Sequence, residues 1–271
     1  MKILDGRELA EYIQERQARQ VRGLRQAYNV FPKLAIVMSS NNPVIETYVN
    51  LKKTYGAEIL IDVDVHNVDD DSIIDTVNEL NDDESVHGII IQLPLTNPDN
   101  TDAAVNAVVP LKDVDGLGEN AVWTPATAMA IDWLAAGYNV TLKNRPIVIV
   151  GNGRLVGQPL AKLWQQSGLD VKVLDSKTED MATEVRSAQI VVTATGVPSL
   201  ITASMLQSSA VVIDAGTAAE HGKIVGDLAD DVRERDDLTI TPVKGGVGPL
   251  TVSALFDNVI RAAQRTAGIH N

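Results

Sequence analysis

Short apolar runs alternate with longer stretches of helical period along the whole chain, and this alternation restricts it to a small set of folds. Residues 34–38, 58–65, 86–93, 147–150, 171–174, 190–194, 211–214 and 238–240 read as strands. Helices are predicted on the stripe Leu9, Ile13, Val21 and Leu24, over 44–55 with Gly56 as its stop, after the acidic run 69–71, over 125–136 and over 251–267. Strands joined through helices need crossovers, and right-handed crossovers make neighbouring strands parallel. Parallel strands covered on both faces are built from Val, Ile and Leu. The composition agrees: hydrophobic residues make up 45% and aromatics only 4%, so aliphatic side chains must fill the core. A length of 271 residues suits two such cores, and the periodicity breaks over 110–120. The predicted fold is α/β, with two α/β lobes and a hinge near residue 120.

The formal net charge of -13 opposes nucleic acid or an anionic membrane as partner. There is no cysteine, hence no disulfide framework, no zinc–thiolate site and no thiol nucleophile; no metal site is predicted. Residues 1–7 lack an apolar signal region and no apolar run reaches bilayer length, so a soluble protein compatible with a reducing cytoplasm is expected.

Residues 146–157, Pro-Ile-Val-Ile-Val-Gly-Asn-Gly-Arg-Leu-Val-Gly, carry a strand into a glycine-rich turn and then a helix. Gly151 and Gly153 are expected to let the chain turn tightly and bring backbone N–H groups to a pyrophosphate. Gly157 is expected to permit close helix–strand packing, with Asn152 and Arg154 beside it. The spacing is one residue longer than the usual G-x-G-x-x-G, and a plain strand–helix turn is the alternative. Asp175 ends the next strand, where a carboxylate accepts from ribose hydroxyls and repels a 2′-phosphate; a turn aspartate is the alternative. This favours NAD over NADP.

Tyr48 and Lys52 stand four apart in a predicted helix and so share a face. A lysine shielded from water has a lowered pKa and can act as a base, and a neighbouring phenol can orient a substrate; surface neighbours are the alternative. Gln92 closes an otherwise apolar strand, and Asp115 lies in a glycine-bearing loop. Ligands of open α/β sheets bind beyond the carboxyl ends of strands, where Gln92 is expected. A capped strand end and a turn aspartate compete with these readings.

Together these fragments resemble the bifunctional methylenetetrahydrofolate dehydrogenase/cyclohydrolase family, over nearly the whole chain and in the family's order. Tyr48 to Lys52 resembles Y-x-x-x-K, Ile91 to Leu95 V-Q-L-P-L, and Lys112 to Gly116 matches K-D-V-D-G. Val156 to Pro159 resembles V-G-x-P, Thr195-Gly196 the T-G turn, Val212 to Gly216 V-I-D-x-G, and Gly245 to Thr251 G-G-V-G-P-M-T. The resemblance implies oxidation of 5,10-methylenetetrahydrofolate by NAD or NADP and hydrolysis of the methenyl product to 10-formyltetrahydrofolate. It implies that Lys52 is the acid/base group, that Gln92 tunes it, that Tyr48 orients the folate and that Asp115 anchors the pterin. It places Gly246, Pro249 and Thr251 on the substrate, and Ser176, Thr195 and Gly196 on the cofactor. It also implies a homodimer, a first lobe of residues 1–120 joined by the helix 250–271, and a Rossmann-type dinucleotide-binding lobe over 121–249.

The chain departs from the family's pattern at several points. Ile45 stands where a serine is usual, Leu117-Gly118-Glu119 replaces F-H-P, Thr127 replaces a glycine and Lys244 a proline. Asn152 and Gly153 replace the Arg-Ser pair associated with NADP, and Asp175 replaces a histidine, again towards NAD. Ile45 leaves open a dehydrogenase without the hydrolytic step. A folate- or nucleotide-binding regulator and a different two-lobed dehydrogenase are the remaining alternatives; the first would not need Tyr48, Lys52, Gln92 and Asp115 together, and the second does not explain Gln92 or residues 245–251.

Overall fold

The computed structural model describes residues 1–40, 42–220 and 223–269. Along the chain run β1 (Lys2–Ile3), α1 (Gly6–Tyr28), β2 (Lys33–Met38), α2 (Pro43–Glu58), β3 (Asp62–Asn67), α3 (Ile73–Asp82), β4 (Gly88–Ile91), α4 (Thr101–Ala107) and α5 (Ala126–Gly137). There follow β5 (Ile147–Val150), α6 (Gly157–Gln166), β6 (Val171–Leu174), α7 (Met181–Ser187), β7 (Ile190–Thr193), β8 (Val211–Asp214), β9 (Ala218–Glu220), β10 (Lys223–Val225), α8 (Asp230–Arg233), β11 (Thr239–Ile240) and α9 (Val247–Thr266). The chain divides into two compact units. A lysine unit comprises Glu11–Ala126 and Val252–Asn271, and a glycine-turn unit Met1–Ala10 and Thr127–Thr251.

The lysine unit is built on a parallel sheet of order β3-β2-β4. Its central strand is covered on both faces, with Leu34, Ala35, Ile36 and Val37 all at 0% exposure. Ala35 and Val37 pack with Ile89 and Ile91 against Ile73, Val77 and Leu80 of α3 and Ala104 and Val105 of α4. Gly56 does not stop α2. It lies inside the helix because a Cβ there would press within 2.6 Å of Val63 and 2.9 Å of the Ile61 carbonyl. The helix ends instead at Glu58, and just beyond it Leu60 takes the left-handed region at φ 65° while the Ile61 N–H donates to the Gly56 carbonyl at 2.8 Å. β3 therefore starts at Asp62 rather than at residue 58.

The glycine-turn unit carries a parallel sheet of order β1-β11-β8-β7-β5-β6. From β5 the chain passes to β6 on one side and then to β7 on the other, so the order switches at β5, where open α/β sheets bind ligands. Lys2 and Ile3 pair with Thr239 and Ile240, and the Gly6 N–H donates to the Gly245 carbonyl at 2.8 Å. Hence the first ten residues sit in this unit and not with the rest of 1–120. α9 begins at Val247, four residues before the predicted start, with Pro249 in its first turn, where a missing N–H costs no hydrogen bond. The end of the predicted 250–271 segment, 270 and 271, lies outside the described residues. Among the described residues no helix is long and apolar enough to cross a membrane, and no group of three or more His, Asp or Glu side chains is placed to hold a metal ion.

Candidate active site

In the lysine unit, α2 sets Tyr48 and Lys52 one turn apart, both half-buried. The Lys52 Nζ donates to Gln92 Oε1 at 2.7 Å. Gln92 follows β4 directly, and its Nε2 donates to the Leu93 carbonyl at 3.1 Å, so its amide oxygen is held toward the amine. Burial lowers the Lys52 pKa, while the Asp115 carboxylate opposes that shift. Desolvation pushes Asp115 itself up to about 6, with the Lys52 ammonium pulling it down and Asp113 pushing it further up. An amine that sheds its proton more easily than an ordinary lysine thus stands beside a carboxylate that is anionic at neutral pH.

The loop that delivers Asp115 is fixed at both ends. Lys112 Nζ donates to the carbonyls of Leu80, Asn81 and Asp83 at 3.0, 2.7 and 2.7 Å, capping the carboxyl end of α3. Asp113, 4% exposed, accepts from the N–H groups of Gly116 and Gly118 at 3.0 and 2.8 Å. Gly116 takes φ 71°, and a Cβ there would come within 2.6 Å of the Trp123 carbonyl. From α9, Asn258 Nδ2 donates at 2.9 Å to the carbonyls of Val114 and Thr124. Lys112, Asp113 and Asn258 were not assigned roles from the sequence. Asn258 carried the one usable signal, a polar residue next to Val259 on the apolar face of the last helix. Ile45, also on α2, is 3% exposed and brings no hydroxyl.

The charge coupling gives a signed expectation. Asp115→Asn removes the anion that favours the protonated amine, so the Lys52 pKa falls further. A rate that depends on the neutral amine should then rise at lower pH, its acid limb moving down. The measurement is the pH profile of turnover; an unmoved limb would separate Asp115 from the amine.

In the glycine-turn unit, Gly151 follows β5 at φ 110°, and a Cβ there would come within 2.8 Å of the Ala194 carbonyl carbon. A Cβ on Gly157, the first residue of α6, would overlap the Gly151 carbonyl oxygen. Those two glycines are demanded by the fold. Gly153 is not: a Cβ there meets nothing within 4 Å, so the tight-turn role belongs to Gly151 alone. Asn152 lines a shallow concavity of about 510 Å³ with Gln158, Lys162 and Val173. Asp175, half-buried just after β6, accepts from the Lys177 N–H at 2.9 Å, which is the turn role; its neighbour Ser176 is exposed, as is Arg154. Thr195 and Gly196, the latter at φ 67°, form the turn after β7. Gly246 is buried beside Thr241, while Pro249 and Thr251 open α9, where Thr251 Oγ1 donates to the Val247 carbonyl at 3.3 Å. The predicted cofactor residues therefore lie at the carboxyl ends of β5, β6 and β7. Tyr48, Lys52, Gln92 and Asp115 all fall in the lysine unit.

Residues 4–115 match the sequence family "Tetrahydrofolate dehydrogenase/cyclohydrolase, catalytic domain", and residues 125–267 match its "NAD(P)-binding domain". The bifunctional protein FolD of Staphylococcus saprophyticus is 35% identical, over 99% of this chain and 99% of that one. The crystal structure of FolD from Campylobacter jejuni superposes with a TM-score of 0.92 at 31% identity, covering 98% of this chain and 99% of that one. The Trypanosoma brucei enzyme, complexed with NADP and an inhibitor, gives 0.90 at 32% identity, with 97% of each chain covered.

Proposed function

The chain belongs to the tetrahydrofolate dehydrogenase/cyclohydrolase family, and from that premise we propose how its residues divide the family's two reactions. It is an NAD(P)-dependent enzyme: 5,10-methylenetetrahydrofolate loses a hydride and becomes the 5,10-methenyl cation, which water opens to 10-formyltetrahydrofolate. The single observation that supports the assignment of roles is the Lys52–Gln92 hydrogen bond of 2.7 Å, on an amine whose pKa burial lowers.

Neutral Lys52 removes a proton from the water that adds to the methenyl carbon, and the resulting ammonium protonates N5 as the carbon–nitrogen bond to it breaks. The water's other proton leaves the adduct's hydroxyl as the formyl carbonyl forms, so one proton is released overall. Gln92 orients the amine, Asp115 anchors the pterin and steadies the ammonium form, and Tyr48 orients the folate. With Ile45 in place of a hydroxyl, Lys52 alone carries the proton transfers and Gln92 holds it in place. By the family resemblance, Gly246, Pro249 and Thr251 are read as substrate residues of the glycine-turn unit.

The glycine turn fits a dinucleotide. Gly151 and Gly157 hold the end of β5 tightly against the start of α6, and the space beside Gly153 leaves its backbone open to a pyrophosphate. When bound, the dinucleotide supplies the hydride acceptor. Asn152, Arg154, Ser176, Thr195 and Gly196 contribute its remaining contacts, and Asp175 holds the ribose. We read the preference as NAD, because Asp175 meets a 2′-phosphate with a like charge and neither Asn152 nor Gly153 offers one a cation. We read the protein as a cytoplasmic homodimer with folate partners and no nucleic-acid or membrane partner.

Initial rates with methylenetetrahydrofolate and each dinucleotide test this. NAD should be preferred in kcat/KM by about tenfold or more, and Asn152→Arg with Gly153→Ser and Asp175→His should reverse the order. Preference for NADP in the unaltered enzyme would refute the cofactor reading. Methenyl product that accumulates with no faster conversion to the formyl compound would refute the hydrolytic one.

A further inference from the structure

Two aspartates outside the roles argued above interlock at the carboxyl ends of the strands of the glycine-turn unit. Asp227 is at 0% exposure, and its Oδ2 accepts from the Thr193 hydroxyl at 2.5 Å and the Thr195 N–H at 2.7 Å. Thr193 ends β7 and Thr195 belongs to the turn beyond it. The Asp227 N–H in turn donates to Asp214 Oδ1 at 3.1 Å, which also accepts from the Gly216 N–H at 3.0 Å. Asp214 ends β8, pairs with Arg233 at 3.6 Å, and through its own N–H reaches Thr241 Oγ1 at 2.9 Å, just past β11. Two glycines make the interlock possible. A Cβ on Gly216 would overlap the Asp227 carboxylate, and one on Gly226 would overlap that of Asp214.

Holding a sheet together does not require this. Buried carboxylates lose several kcal/mol of hydration, and apolar residues of similar volume often serve stability as well or better. The Asp227 Oδ1 is buried without a hydrogen-bond partner, a further cost. What an apolar side chain does not provide is an acceptor that fixes the Thr195 N–H and, with it, the left-handed step at Gly196.

We infer that Asp227 is a positioning residue, which with Asp214 sets the Thr195–Gly196 turn in the geometry that receives the dinucleotide. The inference rests on the reading of that turn as a cofactor contact. Its consequence is a split between the two reactions: dehydrogenation depends on Asp227, and hydrolysis of added methenyltetrahydrofolate, which consumes no dinucleotide, does not.

Steady-state kinetics of the full-length Asp227→Ala enzyme test the split. The KM for NAD should rise about tenfold or more, while kcat at saturation and the hydrolytic rate stay within about threefold. Asp227→Asn keeps an acceptor for the Thr195 N–H and should restore the KM to within about threefold of the parent. A KM unchanged in Asp227→Ala, or a hydrolytic rate that falls in parallel with dehydrogenation, overturns the inference. Should Asp227→Ala not fold, Thr193→Val removes one donor from the same carboxylate; a KM for NAD raised about threefold supports the inference and an unchanged one overturns it. The unaltered enzyme's own dehydrogenase rate reports on the functional reading, and the ratio of variant to parent reports on Asp227 alone.

Discussion

Lys52→Ala should lower the hydrolysis of methenyltetrahydrofolate by about 10²- to 10⁴-fold, the range that a positioned general acid–base group supplies, and leave the Kd for the dinucleotide unchanged. Two further effects follow from the neighbours. Gln92 loses the donor that its amide oxygen accepts at 2.7 Å. Asp115 loses the cation that holds its pKa down, so its titration moves above about 6 and the carboxyl is partly protonated near neutrality. Part of the loss in Lys52→Ala would therefore come from Asp115. Lys52→Arg separates the two contributions, since guanidinium keeps Asp115 ionised but does not give up its proton. Hydrolysis as slow in Lys52→Arg as in Lys52→Ala would assign the proton transfers to the amine. Near-parental rates in the arginine variant would reduce Lys52 to a fixed charge.

The second large effect is expected at Gly157. An added methyl there overlaps the Gly151 carbonyl oxygen, and neither the first residue of α6 nor the backbone just past β5 is a flexible side chain able to move aside. Gly157→Ala should cost about 1–3 kcal/mol as overpacking, which for a chain of this size lowers Tm by roughly 2–4 °C per kcal/mol. Dinucleotide binding should fall further than stability, because the strain is absorbed by shifting the helix start away from the turn. Gly153→Ala is the control: with open space around its Cβ, stability should stay within about 0.5 kcal/mol of the parent, while affinity for the dinucleotide falls if the pyrophosphate lies against that backbone. Thermal unfolding with and without NAD reads both. A Gly157→Ala enzyme that melts and binds like the parent would remove the close helix–strand packing from the account.

The sequence carried the parallel sheets well, because β2, β5, β7 and β8 are mostly aliphatic runs buried on both faces and have few other ways to fold. It carried the short elements poorly. α4 and α7 have seven residues each, too few for a helical stripe to stand out from chance. β1 has two residues, both exposed, and exists only because Thr239 and Ile240 lie beside it. Gly56 looked like a helix stop since glycine usually is one; the packing of Val63 that requires it depends on a strand crossing that no local pattern encodes.

The candidate site divides along the same line. Lys52 and Tyr48 were visible as a helical pair and Gln92 as a polar end to an apolar strand, but the bond between Lys52 and Gln92 spans 40 residues and needs the sheet to form. The service of Lys112 to α3 was hidden for another reason. A lysine beside two aspartates in sequence reads as their partner, whereas its amine is spent on three carbonyls from residues 80–83. Asp227 was least visible of all. Nothing in Gly-Asp-Leu separates it from a surface turn until the strand ends are seen to meet on it.

The pairing of Lys2 with Thr239 joins two strands more than two hundred residues apart in the chain. During synthesis β1 must wait while more than two hundred residues are added, and its hydrogen-bonding edge is open to other partners throughout that time. Its brevity and its lysine limit what such an edge can recruit. This outer strand of the dinucleotide sheet thus depends on the longest-range pairing in that sheet, so hydrogen exchange during refolding should protect the amides of Lys2 and Leu4 only after those of β5 and β7.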